Sequence, residues 1–366
     1  MTPETLTRRA LNRATLARQL LLERADLPAI EAVEHLVGLQ AQTTNTWYVG
    51  LWSRLAGCDP HQVGELLTRR QVVRMALMRS TIHLVSAADA AGLRPLVQPV
   101  IERSTAAVYG RRLAGVSRDE LVAAARPVLD AKPRTFSELG RELSPSFPGA
   151  DPEALAMMAR AWLPLVQVPP RGVWGRSGLA AHSILDSFVD APVPEPLPVE
   201  EMVLRYLAAF GPASVRDVQT WCGLTRLGPV LDGLRRKLLA FRDERGVELF
   251  DLPDAPRPDP DTPAPPRFLY DFDNLLLSHA DRTRVVTEAY AGADFPQYGP
   301  VPRALLVDGF TAGTWTQETV KGTASLAVHP LVRLSTRDKR AIEREGAALL
   351  AFLAPAAKSH GITFSR

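Results

Sequence analysis

Residues 199–251 read VEEMVLRYLAAF-GPA-SVRDVQTWCG-LTRL-GPVLDGLRRKLLAFRDERGVELFD. Val199–Phe210 has helical apolar spacing. Ser214-x-x-Asp217 is a cap that starts a second helix after a short turn. Gly228–Leu239 is a third amphipathic segment, and it runs directly into two strands, Leu239–Asp243 and Val247–Asp251, that turn at Glu244-Arg245-Gly246. Helix, helix, helix, hairpin is the winged-helix plan.

The same order recurs twice upstream. Helices are expected over Ala14–Glu23, Pro28–Leu39, Trp47–Leu55 and Pro60–Thr68, then strands Val72–Met78 and Thr81–Val85 turning at Arg79-Ser80. Next come helices Arg118–Leu129, Thr135–Leu143 and Pro152–Leu163, the second opened by Thr135-x-x-Glu138. Strands Leu165–Val168 and Gly172–Trp174 are expected around Pro169-Pro170-Arg171. Two Pro-rich stretches, Ser187 to Glu200 and Asp251 to Pro266, read as semi-rigid connectors. Beyond Pro266 the texture changes. Short strands are expected at Arg267–Leu277, Arg284–Val286, Ala304–Val307, Thr311–Trp315 and Leu326–Val328, with Asp308-Gly309 as a hairpin turn and a closing helix over Thr336–Leu353. The reading is an α+β chain. Three tandem winged-helix units span residues 1–100, 101–190 and 191–255, and a small β-barrel or curled sheet with a closing helix spans residues 256–366.

Composition narrows the function. The hydrophobic share is 46% and the charged share 23%, ordinary for a globular chain. A net charge of +3 does not by itself argue for nucleic acid. Lysine occurs only at Lys132, Lys237, Lys321, Lys339 and Lys358; the other cations are arginines, as a GC-rich genome produces and as phosphate contact also favours. Cys58 and Cys222 are far apart, which excludes a disulfide framework and argues against a cysteine metal centre. There is no apolar leader and no long apolar run, so a cytoplasmic protein without a membrane span is expected. Phosphate-binding loops, HExxH and GxSxG are absent.

One stretch stands out: Val37-Gly38-Leu39-Gln40-Ala41-Gln42-Thr43-Thr44-Asn45-Thr46-Trp47. Taken alone, amides and hydroxyls of this density read as capping and loop chemistry. In context they read differently. Leu6 to His83, with Gln40-Ala41-Gln42 and Trp47-Tyr-Val-Gly-Leu-Trp-Ser-Arg54, resembles the winged-helix DNA glycosylases of the AlkZ and AlkX type. So do Met78-Arg-Ser-Thr-Ile-His-Leu-Val85, the run Arg267 to Arg282, and Val307-Asp-Gly-Phe-Thr-Ala-Gly-Thr-Trp315. Tyr270-Asp271 stands where that family's barrel motif leads one to expect Pro-Glu. The resemblance implies three winged helices, a C-terminal barrel and a catalytic Gln-x-Gln made of Gln40 and Gln42, as in the AlkZ branch.

It also implies excision of N7-alkylated guanine from double-stranded DNA, bulky adducts and interstrand crosslinks included, in repair or self-resistance. Such a base is already cationic, so no acid is needed to protonate the leaving group. A glutamine oxygen can orient water and face a positive centre. Water positioning falls mainly to Gln42, by analogy with the aspartate of the other branch, and Gln40 orients the water or the sugar. At i and i+2 two side chains share a face only on extended backbone; on a helix they diverge by about 200°. The pair is therefore expected at a helix end or in a loop. No lysine is near in sequence, so no Schiff-base step is expected; no cofactor or metal is expected either, since no ligand spacing or phosphate loop is present. Asn45, Arg69, Arg70, Arg74, Arg79, His83, His279 and Arg282 are candidate DNA contacts, against solvated-face or structural roles for each. Trp47 and Trp52 read as core. A monomer is expected. A regulator or an adduct-shielding protein, both non-enzymatic, are the alternatives.

Overall fold

The computed structural model describes residues 3–189, 195–296 and 300–365. The expected division at 190/191 lies outside the described residues. Helix Val199–Phe210 and the capping boxes at Ser214/Asp217 and Thr135/Glu138 form as read. So do helix Pro60–Thr68 and the closing helix Thr336–Leu353.

The first two hairpins do not stand apart. Strands Val72–Ala76 and Ile82–Ser86 join strands Leu165–Gln167 and Ala181–Ile184 in one six-stranded sheet, with Met75 opposite Val166 across the seam. Leu39–Gln40 adds to one edge and Arg134–Thr135 to the other. The turn at Arg79-Ser80 has left-handed φ at both residues, 56° and 62°, as a type I′ hairpin turn requires. The strand expected at Gly172–Trp174 is absent. Pro169 and Pro170 offer no N–H to a ladder, and Gly172 and Gly175 turn left-handed (φ 89° and 69°), so the chain loops before pairing at Ala181. A long helix, Ala87–Tyr109, runs across the expected division at 100/101 despite Pro95 and Pro99.

The third hairpin, Leu239–Asp243 with Glu248–Asp251, takes Thr5–Leu6 as a parallel third strand. The first helix is Arg8–Arg18, earlier than expected because Thr7 caps it. That helix holds the Pro-rich connector through Arg9 to the Pro260 carbonyl and Arg13 to the Thr262 carbonyl, both at 2.7 Å.

The C-terminal sheet is a half-barrel rather than a closed barrel. Its five strands run in order from Arg267–Phe268 through Arg303–Val307, Phe310–Val320 and Thr323–Pro330 to Ser359–Phe364. The outermost two do not pair, and helix Thr336–Leu353 covers one face and returns the chain to a parallel last strand. The expected strand Arg267–Leu277 ends at Phe268. Asp273 bonds its own Leu275 N–H, and a 3₁₀ turn at Asn274–Leu276 follows. Arg284–Val286 is likewise turn, not strand. Trp47, Tyr48 and Leu51 pack with Phe268, Trp315, Leu326 and Leu350, so the helix after the glutamine motif shares its core with the half-barrel. No helix among the described residues is long and apolar enough to cross a membrane.

Candidate active site at the Gln-Ala-Gln strand

Helix Ala29–His35 ends early, and Val37 and Gly38 turn the chain through left-handed φ of 53° and 86°. No β-carbon fits at Gly38: it would fall 2.5 Å from Val85 Cγ1. The chain emerges extended as Leu39–Gln40, with Gln40 opposite His83. Ala41 N–H still donates to the Ile82 carbonyl at 2.7 Å. In a continuing ladder Ile82 N–H would return the bond to the Ala41 carbonyl. Instead it donates to Gln42 Oε1 at 3.2 Å, and the Ala41 carbonyl accepts from Arg74 Nη2 at 2.7 Å. The strand thus ends at Gln40, and the Gln42 side chain takes the ladder bond that the Ala41 carbonyl gives up. Gln40 is buried and Gln42 exposed.

Gln40 Oε1 accepts from Arg79 Nη2 at 2.7 Å, and Arg79 Nη1 donates to the Trp221 carbonyl. Burial lowers the Arg79 pKa, and no carboxylate offsets it. His83 is sealed beside it. Burial, then the Arg79 charge, pulls its imidazole down to about 3, so it is neutral.

The half-barrel reaches into this strand through residues 271–274. Asn274 Oδ1 accepts from Gln40 N–H at 3.2 Å, and Asn274 Nδ2 donates to the Gly38 carbonyl at 2.6 Å. Asp271 accepts the Thr43 and Thr46 hydroxyls, the latter at 2.6 Å. Asp273 forms a buried two-point pair with Arg54, at 2.7 and 2.8 Å. Tyr270 packs on Gly50, where a β-carbon would lie 2.7 Å from its ring.

Of the residues singled out as DNA contacts, the structure gathers Arg79 and His83 around Gln40. Arg74 is buried beneath the motif with its Nε and Nη1 unpartnered, and burial lowers its pKa to about 10. His279 is buried, with Nε2 at 3.0 Å from the Phe210 carbonyl. Arg70 donates to the Phe188 carbonyl at 2.8 Å and lies over that ring. Arg69 sits 3.7 Å from Glu65 on an exposed helix face, and Asn45 and Arg282 are exposed. Trp47 and Trp52 are core. Sequence reasoning took His279 and Arg282 from the barrel motif; the contacts to the glutamine stretch come from Asn274, on the Gln40 N–H, and Asp271, on Thr43 and Thr46. The signal was there in Asp-Phe-Asp-Asn, polar groups set among apolar neighbours that must find buried partners. Among the described residues no cluster of His, Cys, Asp or Glu is placed to hold a metal ion.

The arrangement holds two carboxamides at the sheet edge, Gln40 on the Arg79 guanidinium and Gln42 on the Ile82 N–H, with the Asp271 carboxylate bound to neighbouring Thr43. Comparison with known proteins agrees with the fold. No curated protein matches the chain. The solved structure of Streptomyces sahachiroi DNA glycosylase AlkZ superposes with a TM-score of 0.78 at 21% identity, covering 99% of this chain and 100% of that one. Residues 33–352 match the family described as AlkZ-like, DNA glycosylase AlkZ-like. With most of its length matched, the chain belongs to the AlkZ-like DNA glycosylase family.

Proposed function

We propose that this protein is a monofunctional DNA glycosylase. It hydrolyses the N-glycosidic bond of N7-alkylated guanine in double-stranded DNA, bulky adducts and interstrand crosslinks included, in alkylation repair or genotoxin self-resistance. It does so as a monomer built on three winged-helix units, with no cofactor. The carrying observation is the pair of carboxamides flanking Ala41, Gln40 held by Arg79 and Gln42 by the Ile82 N–H.

The chemistry fits that pair. As the C1′–N9 bond breaks, its electrons neutralise the cationic purine, and water oxygen bonds C1′ of an oxocarbenium-like sugar. A second Gln42 Oε1 lone pair remains beside its bond to Ile82 and can accept from that water. The water proton passes to solvent. Gln40 turns its oxygen to Arg79, so its amide N–H groups are what it offers, to the water oxygen or to a sugar oxygen. Asn45, Arg69, Arg70 and Arg282 are the proposed backbone contacts; Arg79 acts through Gln40.

Incubation with duplex DNA carrying N7-methylguanine, then alkali, should cleave the strand at the lesion. Gln42→Ala should lose about 10²-fold or more in excision while keeping DNA affinity. Undiminished excision by that variant sinks the assignment. Lesion binding without abasic sites from the wild type marks an adduct-shielding protein instead.

A further inference from the structure

Leu39–Gln40 is an edge strand, and an edge presents N–H and C=O groups that need a partner. A single side chain supplies it. Asn274 takes the Gln40 N–H on its oxygen and gives its amide N–H to the Gly38 carbonyl, so one carboxamide stands where a neighbouring strand would run. Only Asn carries both a donor and an acceptor at this reach. The grip is itself rigid. Asp273 is held by buried Arg54 and bonds the Leu275 N–H at 3.0 Å. Asp271 fastens Thr43 and Thr46 beyond the motif, so one short segment holds the backbone on both sides of Gln42.

We propose that Asn274 is a positioning residue for excision, acting through the backbone of Gly38 and Gln40 to set the aim of both glutamine amides. The inference rests on the glycosylase reading above. Loss of the grip lets the edge strand shift, and a displacement of about 1 Å in a reacting group costs on the order of 10²-fold. Contact with DNA is not the route, because Asn274 is buried.

The test compares wild type, Asn274→Ala and Asn274→Asp. Asp keeps the size and the acceptor but loses the donor and sets a charge against the Gly38 carbonyl. Three quantities are read: single-turnover excision of N7-methylguanine at saturating protein, affinity for undamaged duplex, and backbone amide exchange at Gln40. Excision should fall about 10- to 100-fold in both variants, with affinity held within about twofold. Gln40 amide exchange should quicken in Asn274→Ala. Excision within about twofold of wild type in a folded variant overturns the proposal, as does a matching loss of rate and affinity. If Asn274→Ala does not fold, the near-isosteric Asn274→Asp carries the comparison. If the wild type excises nothing, the glycosylase reading fails by itself. Exchange at Gln40 then still decides whether the grip exists, and unchanged exchange in a folded Asn274→Ala overturns it.

Discussion

Arg79 is a half-buried cation that ends on two carbonyl oxygens, from a left-handed backbone that a non-glycine residue adopts only at a cost. Its length and charge suggested a phosphate contact; its position makes it the brace of Gln40. Arg79→Met should lower excision about tenfold with DNA affinity retained, read by single-turnover rate and anisotropy. A selective loss of affinity would restore the phosphate role. His83 sets a pH dependence. Its pKa is about 3 in the folded chain against 6.5 when free, so the unfolded chain binds more protons between those values. Stability is therefore full above about 6.5 and falls as pH drops toward 3. His182, buried on Phe136 and held at about 4, adds in the same direction. Urea midpoints should decline from pH 7 to 4.5, and His83→Gln should flatten that slope; an unaltered slope excludes His83 as a contributor. At this scale the polar density around Gln40 and Gln42 was legible and its hydrogen-bond partners were not. Residue type does not reveal which strand face is sealed, which is why Arg74, His83 and His279 read as surface contacts. Asn274 meets Gly38 across 236 positions, beyond any local pattern.

Elements with their own capping or turn chemistry were legible, because that chemistry is local. The hairpin turn at Asp308-Gly309 forms with φ of 49° and 81°. Its tightness has a tertiary reason as well: a β-carbon on Gly309 would lie 2.5 Å from Asn12 Oδ1 and 2.6 Å from Leu16 Cδ1. Gly309→Ala should cost about 2 kcal/mol or more in chemical denaturation, whereas Gly233→Ala in helix Gly228–Leu234, where the site is open, should gain about 0.5 kcal/mol. Equal effects would show that the turn does not depend on the first helix. Helix Ala87–Tyr109 and strand Ser359–Phe364 escaped notice. Pro95 and Pro99 punctuate the first, and the second is a strand only because Thr323–Pro330 offers it an edge.

Across the molecule, the order of helices and hairpins was readable and the joining of the first two hairpins was not, since pairing of Met75 with Val166 uses residues that suit any strand. The first helix ties the ends together. Arg9 and Arg13 bond Asp308, and Arg18 pairs with fully buried Asp251 at 2.6 and 2.8 Å. Gln19 donates to the Ala209 carbonyl at 2.7 Å. Calorimetry should therefore show one unfolding transition, not one per unit. Asp251→Ala, which leaves Arg18 buried without its acid, should lower stability by about 3–5 kcal/mol. Two separated transitions in the wild type would contradict this coupling.

The sheet that runs from one hairpin into the next limits how parts of this chain can be exchanged. Adding or deleting a single residue in Val72–Ala76 would turn every side chain of that strand over, at the seam with Val166 and beside His83 at once. A length change that a free hairpin could absorb is therefore felt in both hairpins. A chimera joined between the two hairpins would bring together half-sheets whose registers were never matched, so the two should be exchangeable only as one piece.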